Sequence, residues 1–90
     1  MSNKMNYEIT WWEDRCSRSI KINDVYLAYH IAISHEGVYA NINIFQDDDY
    51  IGCFRKCDGG WEWLESGVPY RFARVYTDAT MKNKLLRMDK

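Results

Sequence analysis

The stretch DVYLAYHIAISHEG, residues 24–37, decides the fold, because it satisfies two different periodicities at once. Val25, Leu27, Tyr29, Ile31 and Ile33 recur every second residue, as on one face of a strand. Val25, Ala28, Tyr29, Ala32 and Ile33 recur at helical spacing, with Asp24 available as an N-cap and Gly37 just past the C-terminus. Val, Ile and Tyr dominate the segment and favour pleated structure. The following residues 38–45 alternate cleanly, with Val38, Ala40, Ile42 and Ile44 on one face. The favoured reading is therefore a hairpin turning at His35, Glu36 and Gly37, with the helix as its alternative.

Outward from this segment the period-2 signal continues in both directions. Residues 6–12 place Tyr7, Ile9 and Trp11 on one face and Glu8, Thr10 and Trp12 on the other, so the two adjacent tryptophans point apart. Residues 13–17 are polar and read as a loop, and residues 19–23 as a short strand through Ile20 and Ile22. After a turn at residues 46–49, residues 50–57 form a strand weakened by Gly52. A second hairpin turns at Asp58, Gly59 and Gly60 into residues 61–64. Residues 65–69 read as a loop and residues 70–77 as a last strand. Asp78 then caps a helix whose stripe is Met81, Leu85 and Met88, widened by Leu86. The expected fold is α+β: a small antiparallel sheet of about five or six strands, a hairpin meander, with one C-terminal helix.

Ninety residues form one domain, residues 1–90, with 47% apolar and 28% charged side chains. A chain of this size buries roughly 60 to 65% of its unfolded surface, so any site lies at the surface. Residues 1–12 hold no apolar run of signal-peptide length, and nowhere do eighteen apolar residues follow one another, so a soluble, cytoplasmic protein without a membrane partner is expected. Cys16, Cys53 and Cys57 are too few and odd in number for a disulfide framework, in keeping with a reducing compartment.

The net charge of −1 conceals a segregation along the chain. Residues 1–35 balance. Residues 36–65 set Arg55 and Lys56 against Glu36, Asp47, Asp48, Asp49, Asp58, Glu62 and Glu65, giving −5, and residues 66–90 carry +4. The fourteen aromatic residues also exceed what so small a core can enclose, so some must face outward, where Trp and Tyr suit partner contacts.

Short motifs with a defined mechanism are missing: there is no Gly-rich phosphate loop, His-Glu-x-x-His, Gly-x-Ser-x-Gly or Cys-x-x-Cys. A cysteine nucleophile beside His30 or His35 is disfavoured, because nothing near Cys53 or Cys57 lowers a thiol pKa. A zinc set of the three cysteines and a histidine fails on spacing, since Cys53 and Cys57 lie about 13 Å apart on an extended strand. Asp47, Asp48 and Asp49 lack the alternation and closing Glu of a calcium loop. Neither a metal nor a cofactor is expected, and the chain does not read as an enzyme.

Two binding readings remain. In the first, Asp47, Asp48, Asp49, Glu62 and Glu65 with Trp12, Trp61 and Trp63 meet a basic protein surface, such as that of a nuclease or a defence complex, with carboxylates standing in for phosphates. In the second, Trp61 and Trp63, whose shared face reads first as core packing, instead stack the bases of a single strand while Arg55, Lys56, Arg71 and Arg74 follow its phosphates. A homodimer through the aromatic surface is a further expectation. The profile of one small sheet-rich domain without catalytic residues, rich in aromatics and with a local acidic cluster, resembles phage-encoded inhibitors of host defence such as anti-CRISPR proteins, and bacterial toxin-immunity proteins. That resemblance of profile implies a small inhibitor or immunity protein and transfers no site residue.

Overall fold

The computed structural model describes residues 4–35, 37 and 39–89. Six strands form one antiparallel sheet: β1 (Met5–Glu13), β2 (Cys16–Ile22), β3 (Asn41–Gln46), β4 (Asp49–Cys57), β5 (Gly60–Glu65) and β6 (Arg74–Tyr76), in the spatial order β2-β1-β3-β4-β5-β6. Helix α1 (Val25–Ser34) and helix α2 (Asp78–Met88) complete the chain, so the α+β class and the C-terminal helix are as expected. No helix among the described residues is long and apolar enough to cross a membrane.

The segment that decides the fold is a helix, not the first arm of a hairpin. Asp24 accepts hydrogen bonds at one carboxylate oxygen from the backbone N–H of Tyr26 (2.9 Å) and Leu27 (3.1 Å), which commits the chain to a turn before its β-branched residues can extend. Val25, Ala28, Tyr29 and Ala32 are the residues that it buries, the helical set. Ala28 and Ala32 are fully enclosed, and as alanines they carry the highest helix propensity and let the helix lie close to the sheet. Glu36 and Val38, at the centre of the expected turn and the start of the expected strand, lie outside the described residues. With α1 as a crossover, β3 returns to the other side of β1, and the sheet is a meander only from β3 onward.

Elsewhere the alternation is realised with shifted boundaries. β2 begins at Cys16, since the chain reverses in two residues, Asp14 and Arg15, both with positive φ (50° and 65°), the geometry that matches the twist of a hairpin. The expected last strand shrinks to three residues. Pro69 accepts from the Phe72 N–H, and Tyr70 from that of Ala73, so Tyr70–Phe72 is wound into a 3-10 turn. Thr77 rather than Asp78 is the N-cap of α2, in a reciprocal capping box with Thr80.

Both helices cover one face of the sheet, α1 over β1, β2 and β3 and α2 over β5 and β6. The core lies between them: Met5, Tyr7 and Ile9 of β1, Ile42 and Ile44 of β3, Phe54 of β4 and Trp61 and Trp63 of β5 meet the helical stripes. The opposite face carries no helix and holds Asn6, Glu8, Thr10 and Trp12 beside Asn41, Asn43, Arg55 and Glu62.

Candidate functional site

Antiparallel pairing brings the start of β1, the ends of β2, β3 and β5 and the start of β4 to one end of the sheet. That end is acidic. The β3–β4 turn puts Asp47 and Asp48 at positive φ (50° and 72°), which Asp tolerates better than most side chains because its carboxylate serves the local backbone. Asp47 is tied down: its N–H donates to the Lys4 carbonyl (2.8 Å) and one of its carboxylate oxygens accepts from the Lys4 N–H (3.0 Å). Asp48 and Asp49 stand exposed beside it. Glu65, opposite Gly52 in the ladder, ends β5 on the same side and accepts from the Trp63 indole N–H at 3.4 Å.

Two carboxylates join from distant parts of the chain. Asp24 caps α1 where β2 ends, and Asp89, past the last turn of α2, accepts the Tyr7 hydroxyl at 2.6 Å. Against these stand Lys4 and Lys21. A groove of about 790 Å³ opens there, lined among others by Ile22, Leu27, Phe45, Lys21, Asp24 and Asp48. It offers apolar walls and a charged rim. Asp24 and Asp89 escaped the reading of the sequence because only the fold carries them to the Asp turn.

The remaining expected site residues are dispersed. Glu62 sits inward on the open face, where it takes Arg55 (3.2 Å) and the Tyr70 hydroxyl (2.8 Å). Burial works against the Arg55 charge, but the Glu62 carboxylate more than offsets it and raises the guanidinium pKa. The Tyr70 hydroxyl is raised as well, chiefly by its bond to Glu62. Trp61 is fully enclosed and Trp63 nearly so, with the Trp61 indole N–H donating to Asp78 at 2.8 Å; they share one face as expected, but it is the core face and not a surface platform. Trp12 is 53% exposed, at the far end of β1 from the acidic turn. Lys56 lies over the Trp61 ring and Arg71 over Phe72, while Arg74 is exposed on β6.

The thiols do not converge. Cys16 lies on the β2 edge strand, whereas Cys53 and Cys57 lie on β4, with β1 and β3 between. Burial and the nearby Glu62 carboxylate raise the Cys57 thiol, away from the thiolate form. Among the described residues no three His, Cys, Asp or Glu side chains are grouped to hold a metal ion. A smaller hollow of about 300 Å³ lies under residues 66–73, where Lys84 rides over Trp63 at 5.0 Å.

The contact between Tyr7 and Asp89 has a pH signature. Burial, then the bond to Asp89, holds the Tyr7 phenol protonated well above its usual range. An unfolded chain releases that proton near pH 10, so the stability it contributes is complete below about pH 10 and falls above it by about 1.4 kcal/mol per pH unit while the folded phenol stays protonated. Tyr50 is raised in the same direction by burial and by Cys53. The urea midpoint should therefore drop steeply on the alkaline side, and Tyr7→Phe should flatten that drop. Equal alkaline slopes for the two proteins would refute the assignment.

No family model, curated protein or solved structure matches the chain.

Proposed function

We propose that the chain is a non-enzymatic protein-binding module, a small inhibitor or immunity protein of the counter-defence or toxin-neutralising kind, acting in the cytoplasm. The acidic end of the sheet covers a basic functional surface of its partner. One observation carries this reading: the fold gathers Asp24, Asp47, Asp48, Asp49, Glu65 and Asp89 from five separate elements and turns onto one end, beside a groove with apolar walls. Carboxylates on such a rim replace the phosphates that a nuclease or a nucleic-acid-binding complex would hold, and their field steers the encounter. Two of them, Asp48 and Asp49, are free of the backbone tie that engages Asp47, so they separate recognition from folding.

The experiment follows from that separation. Wild-type protein and an Asp48→Asn, Asp49→Asn double variant are immobilised and offered a lysate of the source cells at low and high salt. The wild type should retain a basic protein at low salt, the variant should lose about tenfold in affinity, and added salt should narrow the gap between them. Failure to retain any partner, or equal retention by both proteins at both salt concentrations, would show the reading to be wrong.

A second reading, single-stranded nucleic-acid binding, is favoured by a different observation: Tyr70 and Phe72 are exposed beside the exposed Arg71 and Arg74. Stacking would then fall to these rings, since Trp61 and Trp63 are enclosed. Salt-sensitive anisotropy of a labelled oligonucleotide, abolished by Tyr70→Ala with Phe72→Ala, distinguishes this reading from the first.

A further inference from the structure

The two edges of the sheet differ. β6 has three residues, whereas β2 has seven, paired to β1 without a register shift and exposed along nearly its whole length. The direction of its free hydrogen-bonding groups is fixed by a contact one strand away. The bond from the Asp47 N–H to the Lys4 carbonyl sets the even-numbered residues of β1 to pair with β3, so the odd-numbered ones pair with β2. Their partners are Cys16, Arg18, Ile20 and Ile22. Ser17, Ser19 and Lys21 therefore point their N–H and C=O groups away from the sheet.

We propose that this edge is a homodimer interface, in which β2 pairs antiparallel with β2 of a second copy about a two-fold axis at Ser19. In that register Ser19 faces its own copy, Ser17 faces Lys21 and Arg18 faces Ile20, so no two like charges oppose and the three outward residues of each chain exchange six backbone hydrogen bonds. A shift that centres the axis on Arg18 stacks arginine on arginine, and one centred on Lys21 stacks lysine on lysine. The cations that would guard such an edge are already balanced within the chain: Arg18 contacts Glu13 at 3.6 Å, and Lys21 lies opposite Glu8. The pairing also covers Ile20, which is 40% exposed although its neighbour in the ladder, Ile9, is in the core. This surface does not involve the Asp turn but shares Lys21 with the groove beside it, and the inference rests on the strand edge and not on the function proposed above.

The test is the mass of the protein in solution against concentration, by sedimentation equilibrium, together with amide exchange at residues 17, 19 and 21. The mass should rise from the 10.8 kDa of one chain toward twice that value, and those three amides should become protected as it does. Ser19→Pro removes an N–H that points outward, so it leaves the pairing with β1 intact and should weaken the dimer by about tenfold or more. Ile20→Lys places a cation opposite Arg18 of the second copy and should weaken it as well, whereas Ile20→Glu should preserve it. Far-UV circular dichroism confirms that each variant is folded. A single-chain mass up to about 1 mM overturns the proposal, as does a dimer that both Ser19→Pro and Ile20→Lys leave undiminished or in which the three amides stay unprotected.

Discussion

Replacing Trp61 with alanine should destabilise the protein by about 3 to 5 kcal/mol, the usual range for deleting an enclosed large aromatic side chain. Trp61 is fully enclosed, and its indole N–H anchors Asp78 in the first turn of α2. The substitution thus opens a cavity between β5 and α2 and unties the helix at the same time. A domain of this size has a total stability on the order of 5 to 10 kcal/mol, so the variant should be partly unfolded in mild urea. Trp61→Phe keeps most of the volume and loses the hydrogen bond, and should cost about 1 to 3 kcal/mol. Urea titrations followed by circular dichroism measure both. A Trp61→Ala midpoint close to that of the wild type would mean that this ring does not hold α2 to the sheet.

Gly60→Ala should be the most damaging of the glycine substitutions. A Cβ at this position would lie 2.1 Å from the Tyr76 carbonyl oxygen and 3.0 Å from its carbonyl carbon, in a backbone conformation (φ +147°) that residues with side chains rarely adopt. Both obstacles are backbone, so neither can swing aside; β6 has to leave β5, or the β4–β5 turn has to rebuild. The cost should be about 3 kcal/mol or more, a fall in the melting temperature on the order of 10 °C or more. Gly59, one residue earlier, has positive φ (+88°) with nothing within 4 Å of its Cβ position. Gly59→Ala should therefore show only the conformational penalty, about 1 kcal/mol. Melting curves of the two variants separate close approach from backbone preference, and similar losses for both would refute the steric account.

How much of this was legible beforehand depended on whether a residue's role was local. Strand alternation in residues 6–12 and the stripe of Met81 and Leu85 need only near neighbours, and both stand in the structure as read. Residues 24–34 offered two local solutions, and β-branched content favoured the wrong one. What decided was the capping carboxylate of Asp24 with two alanines small enough to let a helix approach the sheet, and strand preference gives way where the apolar face of the sheet needs a cover. The excess of aromatics did force rings outward, among them Tyr26, Tyr39 and Phe72. The enclosure of Trp61 and Trp63 agrees with the core-packing reading of their shared face, but period-2 spacing alone does not say which side of the sheet the helices cover. The acidic turn was readable as three consecutive aspartates, but its companions Asp24 and Asp89 were not, since the pairing of β1 with β2 and β3 and the bond from Tyr7 assemble them across most of the chain.

The unequal edges also set a limit on growth. A sheet with two long open edges can add copies head to tail, each presenting a fresh edge to the next, and such a contact propagates into a filament because nothing closes it. Here the second edge is three residues long, and the bend after Pro69 turns the preceding chain into a 3-10 turn instead of extending the strand. An incoming strand laid on β2 has no matching strip of equal length to hand onward at β6. Stacking along the sheet therefore ends with the first addition, so the molecule can keep one edge open without supplying the template for a fibre.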